Sequence, residues 1–201
     1  MNGTTTVQLA EKTAKAVTGS VEEWTGFLQS AARLYKYSYP EQLLIYAQRP
    51  DATACASYEI WNQTMRRYVR RGAKGIALLD GAGAVRYVFD VADTGARKSS
   101  REVKTWVLDE NNREAVAHAL ETQYGSAAKL GIAGQLEEIA MQQSMDYWQW
   151  HQDELRGIVD GSFLEGYDEL NLEIAFRNTA AASVKYMLLS RCNLAQEYRF
   201  E

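Results

Sequence analysis

The chain has 201 residues, of which 46% are hydrophobic, and it carries a formal net charge of −4. This length and composition fit one domain with a helical extension, and they exclude a disordered chain, because the apolar content is sufficient for a sizeable core. Cys55 and Cys192 lie far apart and are predicted to be free thiols. Because there is no secretory signal and no run of about 20 apolar residues, we predict a cytoplasmic protein with no membrane partner.

Charge is distributed unevenly along the chain. Residues 33–104 contain 13 Lys and Arg against 7 Asp and Glu, a net of +6, whereas residues 105–201 contain 7 against 16, a net of −9. A basic middle and an acidic C-terminal half indicate that one part has a charged partner. The alternative is that the acidic helices serve solubility alone.

Helical signals dominate the N-terminal third. Residues 1–19 are polar and only weakly periodic, so a flexible N-terminus is predicted. Capping-box patterns at Ser20 and Ser38 each predict the start of a helix with apolar residues at helical spacing. Ser57 is predicted to cap a third helix that runs through Ile60, Trp61 and Met65.

The apolar period changes to that of a strand after residue 75. An apolar run at residues 76–79, the turn sequence Asp80-Gly81-Ala82-Gly83 and an alternating run at residues 85–91 predict two strands joined by a hairpin turn. A third strand is predicted at residues 103–108. Three strands with an apolar face, packed against helices, form a small antiparallel sheet.

Beyond residue 109 the pattern is helical. Helices are predicted at residues 114–123, between residues 127 and 150, and at residues 169–192. Gly125 is expected to end the first of them and Asn193 the last.

These elements predict an α+β fold. N-terminal helices pack on a small antiparallel sheet of about three strands, and a mostly helical C-terminal half follows. The predicted organisation is a flexible segment at residues 1–19, an α+β domain at residues 20–108, and an acidic helical extension at residues 109–201 that packs on it. The lack of a terminal signal at the last residues predicts that the chain is part of a longer protein.

Catalytic motifs are not found. Neither His118 nor His151 lies in H-E-x-x-H, no serine lies in G-x-S-x-G, and the cysteines lack zinc-ligand spacing. Glu121 and Glu154 each follow a histidine by three residues, an arrangement that can ligate a metal but that also fits exposed histidines in acidic helices. The sequence therefore predicts no enzyme, metal or cofactor.

The strongest local signal is a basic segment. Five cations and no acid occur within nine residues, namely Arg66, Arg67, Arg70, Arg71 and Lys74. Their mutual repulsion is unfavourable unless an anion binds, and guanidinium groups match phosphate geometry. Neighbouring aromatic residues can stack unpaired bases, and further cations extend the segment; these are Trp61, Tyr68, Tyr87, Arg97, Lys98, Arg101 and Lys104. The alternative is that Trp61 packs in the core and the arginines form a solvated face that pairs with the acidic half.

Four segments within residues 20–95 stand out together: Leu43-Leu44-Ile45, Trp61, Arg70-Arg71-Gly72-Ala73-Lys74-Gly75-Ile76 and Val85-Arg86-Tyr87-Val88-Phe89-Asp90. They resemble the N-terminal domain of ArdC-type antirestriction proteins, which also opens large multi-domain proteins of conjugative plasmids and integrative elements. The resemblance implies single-stranded DNA binding, with the family's tryptophan and basic-turn positions at Trp61, Arg70, Arg71, Gly72, Lys74 and Gly75. The family's zinc metalloprotease domain has no counterpart here, because H-E-x-x-H is missing.

The predicted function is a non-catalytic, single-stranded DNA-binding module of a mobile-element protein related to antirestriction. Its other predicted partners are further domains of the same polypeptide. The predicted nucleic-acid-binding residues are Trp61, Arg66, Arg67, Tyr68, Arg70, Arg71, Lys74, Arg97 and Lys98. Two alternatives stay open. The acidic helical half can serve as a protein-interaction module or DNA mimic, or the chain can be an enzyme whose metal is held by His118, Glu121, His151 and Glu154.

Overall fold

The computed structural model describes residues 2–162 and 164–198. The chain forms two compact units, Met1–Trp106 and Val107–Glu201. The fold class is α+β, as predicted: N-terminal helices accompany a three-stranded antiparallel sheet and a two-stranded one, and the C-terminal half is helical.

Three helices open the first unit: α1 (Gly3–Val17), α2 (Val21–Arg33) and α3 (Tyr39–Gln48). Helix α1 corrects the prediction of a flexible segment at residues 1–19. Its buried stripe consists of Thr6, Thr13 and Val17, and two of these residues count as polar in the sequence. Both threonine hydroxyls donate to carbonyls one turn earlier, so these side chains are buried with their polar atoms satisfied.

The two predicted capping patterns are present. Ser20 Oγ accepts from the N–H of Glu23 at 3.1 Å at the start of α2. At the start of α3, a carboxylate oxygen of Glu41 accepts from the N–H and the hydroxyl of Ser38, each at 3.0 Å. These bonds satisfy N-terminal donor groups that would otherwise lack partners.

The strands of the first unit are β1 (Cys55–Ser57), β2 (Tyr68–Val69), β3 (Ile76–Leu79), β4 (Val85–Asp90) and β5 (Thr94–Gly95). The larger sheet has the order β1-β4-β3, and β2 pairs with β5. The predicted β3–β4 hairpin is confirmed, with Leu79 opposite Val85. The third strand predicted at residues 103–108 is wrong, since those residues form no strand. The third strand is β1, whose three residues are too few to give an alternating signal.

Short helical turns link these strands. A π-helical turn, Ile60–Thr64, follows β1, and the N–H of Ile60 donates to Ser57 Oγ at 3.3 Å, as the predicted cap requires. A 3-10 turn, Val91–Asp93, joins β4 to β5.

One face of the larger sheet packs against the helices. Ile76, Leu78 and Val88 form a buried cluster with Leu44 and Ile45 of α3. At the outer edge, the Gln48 side chain donates to Ala77 O and accepts from Ala77 N, both at 2.9 Å, so this strand edge is hydrogen-bonded without a further strand.

The buried carboxylate of Asp90, at the end of β4, ties two loops to the sheet. Its oxygens accept from the N–H groups of Thr53 at 2.7 Å, Ala54 at 2.9 Å and Ala92 at 2.9 Å. Charge-assisted bonds of this kind are about twice as strong as neutral ones. Asp90 therefore fixes the entry to β1 and the exit from β4.

The second unit contains α4 (Arg113–Tyr124), α5 (Gly131–Gly157) and α6 (Glu169–Arg191), with 3-10 turns at Ala128–Leu130 and Ala195–Glu197. Gly125 ends α4 at φ +72°, and Asn193 follows α6 at φ +57°, as predicted for both. Helices α5 and α6 run antiparallel, since Lys185 pairs with Glu137 at 2.6 Å near one end and Arg156 pairs with Glu169 near the other.

Both cysteines are free, as predicted. Among residues 2–162 and 164–198, no helix combines the length and the apolar character needed to cross a lipid bilayer.

Candidate nucleic-acid interface

Two basic segments that are distant in sequence lie side by side in the first unit. Strands β2 and β5 pair antiparallel, with Tyr68 opposite Gly95. A backbone bond from Arg70 N to Asp93 O at 2.8 Å continues the pairing at one end, and a bond from Arg101 N to Met65 O at 2.9 Å joins the two segments beyond the other end. We name residues 65–75 and 93–101 the basic ribbon. Pairing of its two strands brings together cations that the sequence separates.

The basic ribbon contains eight Lys and Arg and one acid, Asp93. Seven of the cations are exposed, namely Arg66, Arg70, Arg71, Lys74, Arg97, Lys98 and Arg101. Arg67 is half-buried, and its Nε donates to Thr94 Oγ1 at 2.7 Å. Within residues 2–106, no carboxylate forms an ion pair with any of the eight.

The acid of the ribbon is itself neutralised. Arg49 Nη1 donates to both carboxylate oxygens of Asp93 at 2.8 Å, and Arg49 lies outside the ribbon. This pair leaves the charge of the exposed cations uncompensated, so the ribbon presents a positive potential suited to a polyanion.

The backbone before β2 is unusual. Arg66 has φ +54°, in the left-handed region that few non-glycine residues adopt. It follows the π-helical turn, and its carbonyl accepts from Ser100 Oγ at 2.7 Å. π-turns and left-handed non-glycine residues cost conformational energy, which the surrounding structure must offset. Both are enriched at functional sites.

Tyr68 is positioned by a glycine. A Cβ atom added to Gly95 would lie 2.3 Å from Tyr68 Cζ, so the ring occupies the space of the missing side chain. The Arg97 guanidinium carbon lies 5.5 Å from the ring centroid, and Tyr68 remains 42% exposed. An exposed ring beside a cation can stack an unpaired base while the cation binds the adjacent phosphate.

Trp61 corrects the predicted set of binding residues. It is only 2% exposed, and its Nε1–H donates to Phe89 O at 2.8 Å. A buried ring with its polar atom satisfied has no face available for a base, so Trp61 is a core residue. The alternative in which Trp61 packs in the core is therefore correct for this residue.

Two further predicted residues border the ribbon. Tyr87 on β4 is exposed, and its ring lies against Gly75, where an added Cβ would be 3.1 Å from Tyr87 Cβ and Cδ1. Lys104 is exposed beyond the second segment. Sequence reasoning missed Gly95 and Arg49. A glycine opposite an aromatic residue is the signal for Gly95, whereas the Arg49–Asp93 pair depends on the tertiary fold.

Neither thiol is activated. Burial, followed by the nearby Asp90 charge, raises the pKa of the Cys55 thiol to about 12. Burial also raises the pKa of Cys192. Since the thiolate is the nucleophile, both cysteines are protonated and unreactive near neutral pH.

The histidines of the metal-enzyme alternative lie on different helices, His118 on α4 and His151 on α5. His151 stacks on Tyr147, with ring centroids 4.2 Å apart, and its Nδ1 lies 3.5 Å from Glu154. In the part of the chain that the structure describes, no three His, Cys, Asp or Glu side chains are grouped to hold a metal. The proposed quartet of ligands is therefore not assembled.

No family model, curated protein or solved structure matches this chain. The basic ribbon and the resemblance to ArdC-type N-terminal domains are therefore the grounds for a functional proposal.

Proposed function

We propose that the chain is a non-catalytic module that binds single-stranded DNA along the basic ribbon, within a mobile-element protein related to antirestriction. The supporting observation is the pairing of β2 with β5, which joins eight cations in one ribbon whose only acid is bound by Arg49. The resemblance to ArdC-type N-terminal domains supports single-stranded DNA as the ligand and a mobile-element protein as the biological setting.

The first contribution to the binding free energy is electrostatic. Each phosphate that a Lys or Arg neutralises releases counterions, and the logarithm of the affinity falls by about 0.7 per phosphate and per logarithm of salt for a single strand. Seven contacts, one from each exposed cation of the ribbon, would give a slope of about −4.9. Arginines dominate this set and suit the bidentate geometry of phosphate oxygens.

The preference for a single strand depends on aromatic rings. In a duplex the bases are stacked on each other, whereas in a single strand their faces are available. Tyr68 and Tyr87 are exposed next to the cations, and each lies against a glycine of the ribbon. A base stacked on such a ring contributes about 1–3 kcal/mol.

The direct test is charge reversal on the basic turn. The variant Arg70→Glu, Arg71→Glu, Lys74→Glu is expected to abolish binding of a labelled single-stranded oligonucleotide at low salt, as measured by fluorescence anisotropy. The matched control is Lys12→Glu, Lys15→Glu, Lys36→Glu, which makes the same charge change at exposed positions outside the ribbon.

The control variant is expected to keep most of the wild-type affinity. Equal losses in both variants would mean that net charge, and not the ribbon, governs binding. Unchanged affinity in the first variant would refute the surface assignment. An RNA oligonucleotide of the same sequence serves as a competitor that reports whether the 2′-hydroxyl matters.

A further inference from the structure

A second surface, on α5 in the other unit, has a different chemistry. Trp150 is 81% exposed on a regular helix, although tryptophan is among the more buried residues of folded proteins. Tyr147 lies three positions earlier on the same side of the helix and is also exposed. Its ring stacks on His151, with centroids 4.2 Å apart, and on Phe176 of α6 at 6.1 Å. We name Tyr147, Trp150 and His151 the aromatic face.

Exposed acids surround the aromatic face. The side chains of Asp153 and Glu154 are 95% and 78% exposed. Helix α5 carries five acids and one cation, Arg156, and Arg156 is already paired with Asp153 and Glu169. Three acids, Asp153, Glu154 and Glu169, therefore share the single cation Arg156, and the border of the aromatic face keeps a net charge of −2.

The position of these acids is unfavourable for the helix itself. Asp153 and Glu154 lie in the last turns of α5, where the helix dipole disfavours negative charge. A local cost of this kind is typical of a functional surface, and a bound cation would offset it.

We propose that the aromatic face binds an arginine-rich peptide segment of another protein, an activity separate from DNA binding. Guanidinium planes stack on indole and phenol rings, and their N–H groups donate to carboxylates in the same geometry. Both partner groups are present here, in the exposed ring of Trp150 and in the carboxylates of Asp153 and Glu154, while Tyr147 is already stacked on His151 and Phe176. The acidic border disfavours nucleic acid and anionic lipid as ligands. Exposed tryptophan is also the residue type that most often dominates the affinity of protein interfaces.

Arginine selectivity is the property that distinguishes this face from a general acidic surface. Fluorescein-labelled nona-arginine and nona-lysine carry equal charge, and their binding to the full chain is measured by anisotropy. The wild type is expected to bind nona-arginine about twofold to fivefold more tightly per stacked guanidinium. The variant Trp150→Leu is expected to remove this preference while leaving the helical circular dichroism unchanged.

Two control variants separate the contributions of the ring and of the charges. Tyr167→Leu removes an exposed ring beside acids elsewhere in the same unit and is expected to keep the arginine preference. The variant Asp153→Asn, Glu154→Gln is expected to weaken both peptides.

Three results would overturn the proposal. The first is equal wild-type affinity for both peptides, and the second is a preference that persists in Trp150→Leu. The third is peptide-free self-association of the wild type in sedimentation velocity that Trp150→Leu abolishes, because a second copy of the chain would then be the occupant of the face.

Discussion

Replacement of Trp61 by phenylalanine separates a structural role from a base-stacking role. The change removes the 2.8 Å bond from Nε1 to Phe89 O and leaves that carbonyl without its donor, which costs about 1–3 kcal/mol. The smaller ring also leaves a void at a site that is 2% exposed, for which about 1 kcal/mol is a conservative addition. The expected loss in the free energy of unfolding is therefore about 2–4 kcal/mol, a large part of the stability of a small domain.

Urea unfolding followed by circular dichroism measures this loss. For a urea dependence of about 1–3 kcal/mol/M, a loss of 3 kcal/mol (roughly the middle of that range) lowers the transition midpoint by about 1–3 M. The affinity of the folded variant for single-stranded DNA is expected to stay within about twofold of wild type, because the indole has no face available to a base.

The matched comparison is Tyr68→Leu, for which the opposite result is expected. Its ring is 42% exposed and contributes less to stability than the buried Trp61 ring, whereas loss of one stacked base costs about 1–3 kcal/mol of binding, or roughly 5-fold to 150-fold in affinity. If Trp61→Phe kept full stability and lost binding, the assignment of Trp61 to the core would be refuted.

Three further outcomes are expected. Gly95→Ala should displace the Tyr68 ring and lower single-stranded DNA affinity without a change in charge, and unchanged affinity would show that the ring position is irrelevant. Asp90→Asn should cost about 2–4 kcal/mol in urea unfolding, because three N–H groups lose a charged acceptor, and a loss below about 1 kcal/mol would contradict this role. Burial and the nearby Cys55 raise the pKa of Tyr37 to about 12. The unfolded state therefore releases the proton first, so stability should fall as pH rises from about 10 to 12, and a Tyr37→Phe variant should show a smaller fall.

Much of the fold can be predicted from the sequence, because the patterns that specify its helices and turns are local. The capping patterns at Ser20 and Ser38, the hairpin turn before Val85 and the stop at Gly125 each involve residues within a few positions of one another. Such patterns specify an element without knowledge of its neighbours.

The elements that were missed depend on contacts distant in sequence. Helix α1 buries Thr6 and Thr13, whose hydroxyls are hydrogen-bonded within the helix. Because threonine counts as polar, the sequence pattern does not show that this stripe is buried. Strands β1, β2 and β5 contain only two or three residues, too few for any periodicity. Their pairing is determined by Asp90 and by the ribbon contacts, which no local pattern reveals.

The candidate site divides in the same way. The charge of residues 66–74 is evident in the sequence, and the cations of this segment are exposed apart from Arg67. The role of Trp61 could not be inferred, because a tryptophan beside a basic run is compatible with both stacking and core packing. The pairing of Arg49 with Asp93 neutralises the acid of the ribbon and becomes visible only in three dimensions.

The salt dependence of single-stranded DNA affinity tests the central claim most directly. Wild type and the neutralised variant Arg70→Gln, Arg71→Gln, Lys74→Gln are compared between about 50 and 200 mM salt with the same labelled oligonucleotide. Binding along the ribbon predicts a slope of about −4.9 for wild type and about −2.8 for the variant, in which four of the seven contacts remain. Equal slopes, or a wild-type slope near zero, would contradict the claim that the basic ribbon binds the phosphate backbone.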